Sequence, residues 1–141
     1  VAICPGDSRA GNVLEALKRI EPQIRAVLAT KKRIIIKPNL VSTETQLSAT
    51  HAECLEGVLE FFASVTDKEI SVAETPASGP VADAYHNYGY PAVASKYGVQ
   101  LLDIDALPFE QVYLVNERHH AVPVRYSTAP EQRKRSDLKT A

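Results

Sequence analysis

Hydrophobic residues recur at helical spacing in the first part of the chain. Within residues 12–29 the apolar positions lie three or four residues apart: Val13, Leu14, Leu17, Ile20, Ile24, Val27 and Leu28. This pattern predicts an amphipathic helix that Asn12 caps. Because a proline inside a helix removes an amide donor and clashes with the preceding turn, we expect a kink or a break at Glu21-Pro22.

Short apolar runs separate the helical segments. Residues 1–4 form the first run, and a turn cluster at 5–7 closes it. Residues 33–40 contain three consecutive isoleucines, which is typical of a parallel strand that is buried on both faces. Two further runs, 69–73 and 99–104, are also predicted to be strands.

A helix is predicted over residues 51–64, after the isoleucine strand. Thr50 and Glu53 have the S/T-x-x-E spacing of a capping box, in which the threonine hydroxyl caps the helix. Two shorter helical stretches are expected between residues 81 and 97. Gly98 follows the second one at the position where glycine commonly ends a helix.

Alternating residues later in the chain predict an antiparallel hairpin with strands over 111–116 and 121–126. The whole order of elements predicts an α/β fold with three layers, a mainly parallel central sheet, helices on both faces and a C-terminal β-hairpin. We expect residues 1–128 to form a single α/β domain. Residues 129–141 lack an apolar pattern and are expected to be a polar tail.

The composition is that of a globular protein, with 141 residues of which 45% are hydrophobic and 23% charged. Sixteen Lys and Arg against seventeen Asp and Glu give a formal net charge of −1, so no strongly basic field attracts nucleic acid. The longest apolar stretches are far shorter than the ~20 residues of a membrane span. We therefore expect neither nucleic acid nor a membrane as a partner, and a cytoplasmic location.

The two cysteines, Cys4 and Cys54, indicate neither a disulfide framework nor a zinc motif. They are interpreted as small apolar residues. The chain has no methionine and begins with Val1, which suggests a segment of a longer gene product.

Polar residues follow the predicted strands, at the end of an open α/β sheet where ligands bind. Lys37 and Asn39 come after the isoleucine strand, and Glu74 comes after the next strand. The Lys37 ammonium suits a carboxylate or phosphate ligand, and the alternative is an ion pair with Glu74 or Asp103. Asn39 is either a donor to the ligand or a residue that hydrogen-bonds its own loop.

Thr50 and His51 place the start of the next helix in the same region. A helix start presents backbone amides and the positive end of a dipole, which favour an anion. His51 is a general acid or base, a metal ligand or a solvated residue. Because no motif has metal-ligand spacing, no metal site is predicted. These residues predict a site for a small anionic molecule and do not identify a reaction.

Three motifs that identify common enzyme classes do not occur in the sequence: G-x-G-x-x-G, G-x-x-x-x-G-K-[ST] and G-x-S-x-G. Dinucleotide binding, P-loop nucleotide binding and an α/β-hydrolase activity are therefore unsupported.

The sequence RIIIKPNLV at residues 33–41, followed by ATHAE at 49–53, resembles the domain of unknown function 362 family. That family has an apolar strand ending in Lys-Pro-Asn, then a loop and Thr-His-Pro before a helix. Later parts of the family pattern resemble residues 72–74, 87–90 and 97–105. The resemblance spans residues 1–127 and agrees with the predicted α/β fold.

Two features depart from the family pattern. Ala52 stands where the family usually has proline, so the rigid first turn of the helix is lost. The family's later segments, an Asp-bearing strand and a Pro-x-x-Lys-Thr-His-like stretch, have no counterpart after residue 127. We therefore expect this chain to be the amino-terminal portion of a larger family domain.

The resemblance also implies a redox setting, because family members are sometimes fused to ferredoxin-type iron-sulfur modules. We expect no cofactor within this chain, so that an iron-sulfur cluster would lie only in a fused or partner module. The alternative function is then a non-catalytic accessory or partner domain of an iron-sulfur redox protein. Without the later strands of the family a sheet edge is exposed, and a homodimer or pairing through that edge strand is expected.

Overall fold

The computed structural model describes residues 1–127. The predicted polar tail, residues 129–141, lies outside the described residues. The chain divides into two compact units, one ending at Leu102 and the other beginning at Asp103. Each unit is considered separately below.

The first unit contains five α-helices. Their bounds are α1 Arg9–Arg19, α2 Glu21–Leu28, α3 Ala52–Val65, α4 Val81–Asn87 and α5 Tyr90–Tyr97. The predicted break at Glu21-Pro22 is confirmed, since Pro22 lies in the first turn of α2, where a missing amide donor costs nothing. Gly98 ends α5 in the left-handed conformation, as predicted.

The start of α1 differs from the prediction. Ser8, not Asn12, is the N-cap, and its hydroxyl accepts a hydrogen bond from the Gly11 amide at 3.0 Å. Asn12 lies inside the helix and donates its side-chain amide to the Gly6 carbonyl. Residues 9–11 contain no large apolar side chain, and the hydrophobic pattern therefore places the helix start one turn too late.

Strands β1 (Arg33–Ile36), β2 (Glu69–Glu74) and β3 (Gln100–Asp103) form a parallel three-stranded sheet in that order. In the first pair Ile34 lies opposite Ile70 and Ile36 opposite Val72. The fold is thus a mixed α/β fold with helices around a parallel sheet, as the pattern of elements predicts.

Two strand predictions are wrong in detail. Residues 1–4 form no strand, and the Ile3 carbonyl instead accepts a hydrogen bond from the Arg19 guanidinium. Ile35 is 44% exposed, so β1 is not buried on both faces, because it is an edge strand of the sheet. The run of apolar residues does not distinguish an edge strand from a central one. The expected dimer through such an edge stays a prediction.

The core of the first unit lies between the sheet and helices α3, α4 and α5. Its fully buried side chains include Leu40, Leu55, Leu59, Val72 and Tyr90. Helices α1 and α3 approach each other closely at Gly57, where an added Cβ would lie 2.4 Å from the Ala10 carbonyl oxygen. A side chain at that position would force the two helices apart.

The second unit contains an antiparallel hairpin of β4 (Phe109–Val115) and β5 (Ala121–Ser127). The predicted hairpin is therefore confirmed. The Asn116 side chain accepts hydrogen bonds from the amides of Arg118 and His120, which shapes the turn. His119 has a positive φ of 58°, a conformation that polar turn residues tolerate better than β-branched ones.

Candidate functional site

Lys37 and Glu74 meet at the carboxyl ends of β1 and β2. The Lys37 Nζ atom lies 2.8 and 2.6 Å from the two carboxylate oxygens of Glu74. Glu74 is only 3% exposed, whereas 59% of the Lys37 side chain is exposed. The ion pair with Glu74, one of the two predicted partners of Lys37, is therefore present.

The remaining hydrogen bonds of this pair come from the backbone. Lys37 Nζ donates a longer hydrogen bond of 3.3 Å to the Pro38 carbonyl. The Thr75 amide donates to Glu74 Oε1 at 3.1 Å. Glu74 thus fixes the position of the Lys37 ammonium group, although much of the Lys37 side chain is exposed to solvent.

Asn39 and Thr50 close the base of the loop between β1 and α3. The Thr50 amide donates to the Asn39 carbonyl at 2.7 Å, and the Asn39 amide donates to the Thr50 hydroxyl at 3.0 Å. Asn39 Nδ2 also donates to the Ser48 carbonyl. The loop-binding alternative for Asn39 is therefore observed.

Thr50 is not the N-cap of α3, and the predicted capping box is wrong. His51 holds the N-cap position, and its side chain accepts no hydrogen bond from the helix. Glu53, the expected partner of Thr50, instead pairs with Arg9 at 2.9 Å. The contact with Arg9 joins residues far apart in the sequence, which a local motif does not indicate.

Three of the predicted site residues line one cavity of about 330 Å³. They are Lys37, Asn39 and Thr50, and the rest of the wall comes from α1, β1, Pro38 and α3. Glu74 lies behind Lys37, outside this wall, and His51 is also outside it. The structure thus brings four of the five residues into one connected site, while His51 does not line the cavity.

A second cavity, of about 370 Å³, lies at the amino ends of β2 and β3. Its polar residues include Asp67, Lys68 and Glu69. Open α/β sheets bind ligands beyond the carboxyl ends of their strands. The cavity beside Lys37 is therefore the better candidate, although it is slightly smaller.

Three buried tyrosines donate their hydroxyls to backbone carbonyls, two of them in the segment between β1 and α3. Tyr90 is fully buried and its hydroxyl donates to the Thr50 carbonyl at 2.9 Å. The Tyr88 hydroxyl donates to the Ser42 carbonyl, and that of Tyr85 to the Leu102 carbonyl. All three tyrosines are buried in the core, and their spacing in the sequence does not identify the carbonyl that each hydroxyl binds.

Burial raises the pKa of Tyr90 above its ordinary value of 10.0. The neighbouring ring of Tyr85, stacked at a centroid distance of 5.6 Å, acts in the same direction. Tyr90 therefore remains a protonated hydrogen-bond donor to Thr50 throughout the neutral pH range.

Within residues 1–127 no group of three or more His, Cys, Asp or Glu side chains is arranged to hold a metal ion. The Asp103 carboxylate accepts a hydrogen bond from the Asp105 amide and caps a short 3₁₀ helix, Ile104–Ala106.

None of the helices in the described part of the chain has the length and apolar content needed to cross a bilayer.

Comparison with known proteins gives one family. The model of the family described as "Domain of unknown function (DUF362)" matches residues 34–129. The match covers the loop and both strands that hold Lys37, Asn39, Thr50 and Glu74. No curated protein and no solved structure matches the chain significantly.

Proposed function

The chain belongs to the DUF362 family, and on that premise we propose that this member binds a small anionic molecule at the carboxyl ends of β1 and β2. The observation that carries the proposal is the arrangement of Lys37. Its side chain is exposed to a cavity, yet its ammonium group is fixed by a buried carboxylate. An ammonium that is already oriented loses less conformational entropy when a ligand binds.

The hydrogen bonds of Lys37 indicate where an anion would enter. An ammonium group has three donors, and two of them point to the Glu74 oxygens at 2.8 and 2.6 Å. The third reaches the Pro38 carbonyl at 3.3 Å, the longest of these contacts. A ligand oxygen in the cavity would replace this weaker contact and leave the ion pair intact.

The first turn of α3 adds to the positive potential of the cavity. Thr50 and Cys54 both line the cavity, so the start of this 14-residue helix borders it. Because the His51 side chain does not cap the helix, the amides of Ala52 and Glu53 retain their capacity to bind an anion, whereas the Cys54 amide already donates to the His51 carbonyl. The helix dipole and the Lys37 ammonium then act on the same ligand.

Thermal unfolding in the presence of anions tests this function. We expect sodium acetate, at constant ionic strength, to raise the melting temperature of the wild-type chain, because a ligand that binds the folded state stabilises it. The Lys37→Met variant should lose this increase. Lys96→Met is the matched control, since Lys96 has the same 59% side-chain exposure and pairs with Glu56 away from the cavity.

Two results would contradict the proposal. One is an equal response of the Lys37→Met and Lys96→Met variants, which would indicate a general salt effect. The other is the absence of any response, together with a stable complex between the chain and a ferredoxin-type protein. That outcome would favour the accessory role in an iron-sulfur redox system.

A further inference from the structure

The wall of the cavity beside Lys37 combines polar and apolar side chains. Its polar side chains are those of Lys37, Asn39 and Thr50. The other six lining residues are Val13, Ile36, Pro38, Cys54, Leu55 and Val58. From this composition, and resting on the proposed anion-binding function, we infer that the ligand is a small monocarboxylate with an apolar body, not a phosphate compound.

The charge of the site sets the charge of the ligand. Among the described residues that line the cavity, Lys37 is the only cation, and Glu74 already neutralises much of its charge. A phosphate that carries close to two charges would leave negative charge uncompensated beside the buried Glu74 carboxylate, which is costly. A single negative charge is the most that this wall balances.

The residue types of the wall also disfavour phosphate. Arginine binds phosphate in a bidentate manner, and glycine-rich loops surround it with backbone amides. Neither arginine nor glycine is among the nine residues that line the cavity.

Two neutral donors remain beside the ammonium for a carboxylate. The Thr50 hydroxyl accepts from the Asn39 amide, so its own proton is available to a ligand oxygen. Asn39 Nδ2 uses one of its two N–H groups on the Ser48 carbonyl. Together with Lys37, these groups suit the two oxygens of one carboxylate.

The apolar part of the wall suits a short hydrocarbon body. Val13 projects from α1, and Val58 projects from α3 one turn after Cys54, so that two helices contribute to this side of the cavity. The volume of about 330 Å³ is at the lower end of the ~300–1,000 Å³ typical of ligand sites. A branched chain of a few carbons therefore fits better than a long acyl chain.

Calorimetric titration of the full 141-residue chain with matched anions tests the inference. The probes are sodium acetate, 3-methylbutanoate and inorganic phosphate. Each buried CH₂ group contributes about 0.8 kcal/mol, or about a fourfold gain in affinity. We therefore expect 3-methylbutanoate to bind at least ~10-fold more tightly than acetate, and inorganic phosphate to bind more weakly than 3-methylbutanoate.

A substitution in the apolar wall tests the contribution of that wall, and the same substitution at an exposed valine elsewhere is the matched control. Val58→Thr keeps the shape of the side chain but replaces one methyl group by a hydroxyl, so it should reduce the advantage of 3-methylbutanoate over acetate several-fold. Val27→Thr, at a valine that is 59% exposed on α2, should change neither affinity. Melting curves of both variants verify that they fold.

The outcomes separate this inference from the function on which it rests. Equal binding of acetate and 3-methylbutanoate, or tighter binding of phosphate, would overturn the inference and leave anion binding in place. Binding of none of the three anions would overturn both.

Discussion

Asn39 and Thr50 are joined by two hydrogen bonds, at 2.7 and 3.0 Å, that close the loop between β1 and α3. An isolated bridge between Leu40 and Ala49 continues this pairing into the loop. Because Lys37 precedes the closure by two residues, the geometry of the loop base determines where the cavity wall lies relative to the ammonium group.

The Thr50 hydroxyl is expected to stabilise the fold as an acceptor for the Asn39 amide. Thr50→Val keeps the shape but removes the acceptor and should lower the free energy of unfolding by about 1 kcal/mol. Thr50→Ser keeps the hydroxyl and should be nearly neutral. Urea denaturation measures both. A loss in Thr50→Ser with none in Thr50→Val would show that the Thr50 methyl group, not the hydroxyl, is what matters.

The two partners of the Lys37–Glu74 ion pair should respond unequally to mutation. Lys37→Met leaves a buried carboxylate without its partner and should cost about 2 kcal/mol, less than for a fully buried pair because water reaches the lysine side. Glu74→Gln should cost less, since the exposed ammonium can rehydrate. The unfolding free energies of the two variants at pH 7 measure this. A larger loss of unfolding free energy for Glu74→Gln than for Lys37→Met would contradict the burial of Glu74 and the exposure of Lys37.

Gly57 is expected to be required for the packing of α1 on α3. Gly57→Ala would place a Cβ within 2.4 Å of the Ala10 carbonyl oxygen, a backbone atom that cannot rotate away. We expect a loss of about 1–3 kcal/mol, despite the better helix propensity of alanine. Glu60→Ala, at an exposed position of the same helix, is the control and should change stability by less than about 0.5 kcal/mol. A stabilising Gly57→Ala would show that the helices do not meet there.

Tyr90 should make the stability of the protein fall in alkaline solution. Burial raises the pKa of Tyr90, so above about pH 10 the phenol ionises in the unfolded chain and stays protonated in the folded one. The unfolded state then binds fewer protons, and stability decreases as the pH rises through this range. Tyr90→Phe removes this contribution but loses the hydrogen bond to Thr50, worth about 1 kcal/mol at pH 7.

The wild type and Tyr90→Phe should therefore converge in stability between pH 7 and pH 11. Tyr113→Phe, at an exposed tyrosine of the hairpin, is the control and should keep a constant difference from the wild type. A constant difference for Tyr90→Phe as well would contradict the raised pKa of Tyr90.

The parts of the fold that depend on local pattern could be predicted from the sequence. The break at Pro22, the end of α5 at Gly98 and the hairpin turn follow from the chemistry of a few adjacent residues. The exposure of Ile35 could not be predicted, because it depends on the position of β1 at the sheet edge.

Part of the candidate site can also be predicted from the sequence. In the sequence, Lys37 and Glu74 each come at the end of a predicted strand. If these two strands are neighbours in the sheet, the two side chains can form an ion pair, which is one of the two alternatives predicted for Lys37 and the one observed. The role of Thr50 was missed because Thr50 and Glu53 match a local motif, whereas their actual partners are Asn39 and Arg9. Only the tertiary structure brings those partners within reach.

The location of the anion is the most direct test of the account, and amide chemical shifts of the ¹⁵N-labelled chain during a titration with sodium acetate measure it. The account predicts saturable shifts at Asn39, Thr50 and the first amides of α3, and none at Lys68 or Gln100 beside the second cavity. Saturable shifts centred on Lys68 and Gln100, with none at Asn39 and Thr50, would contradict it.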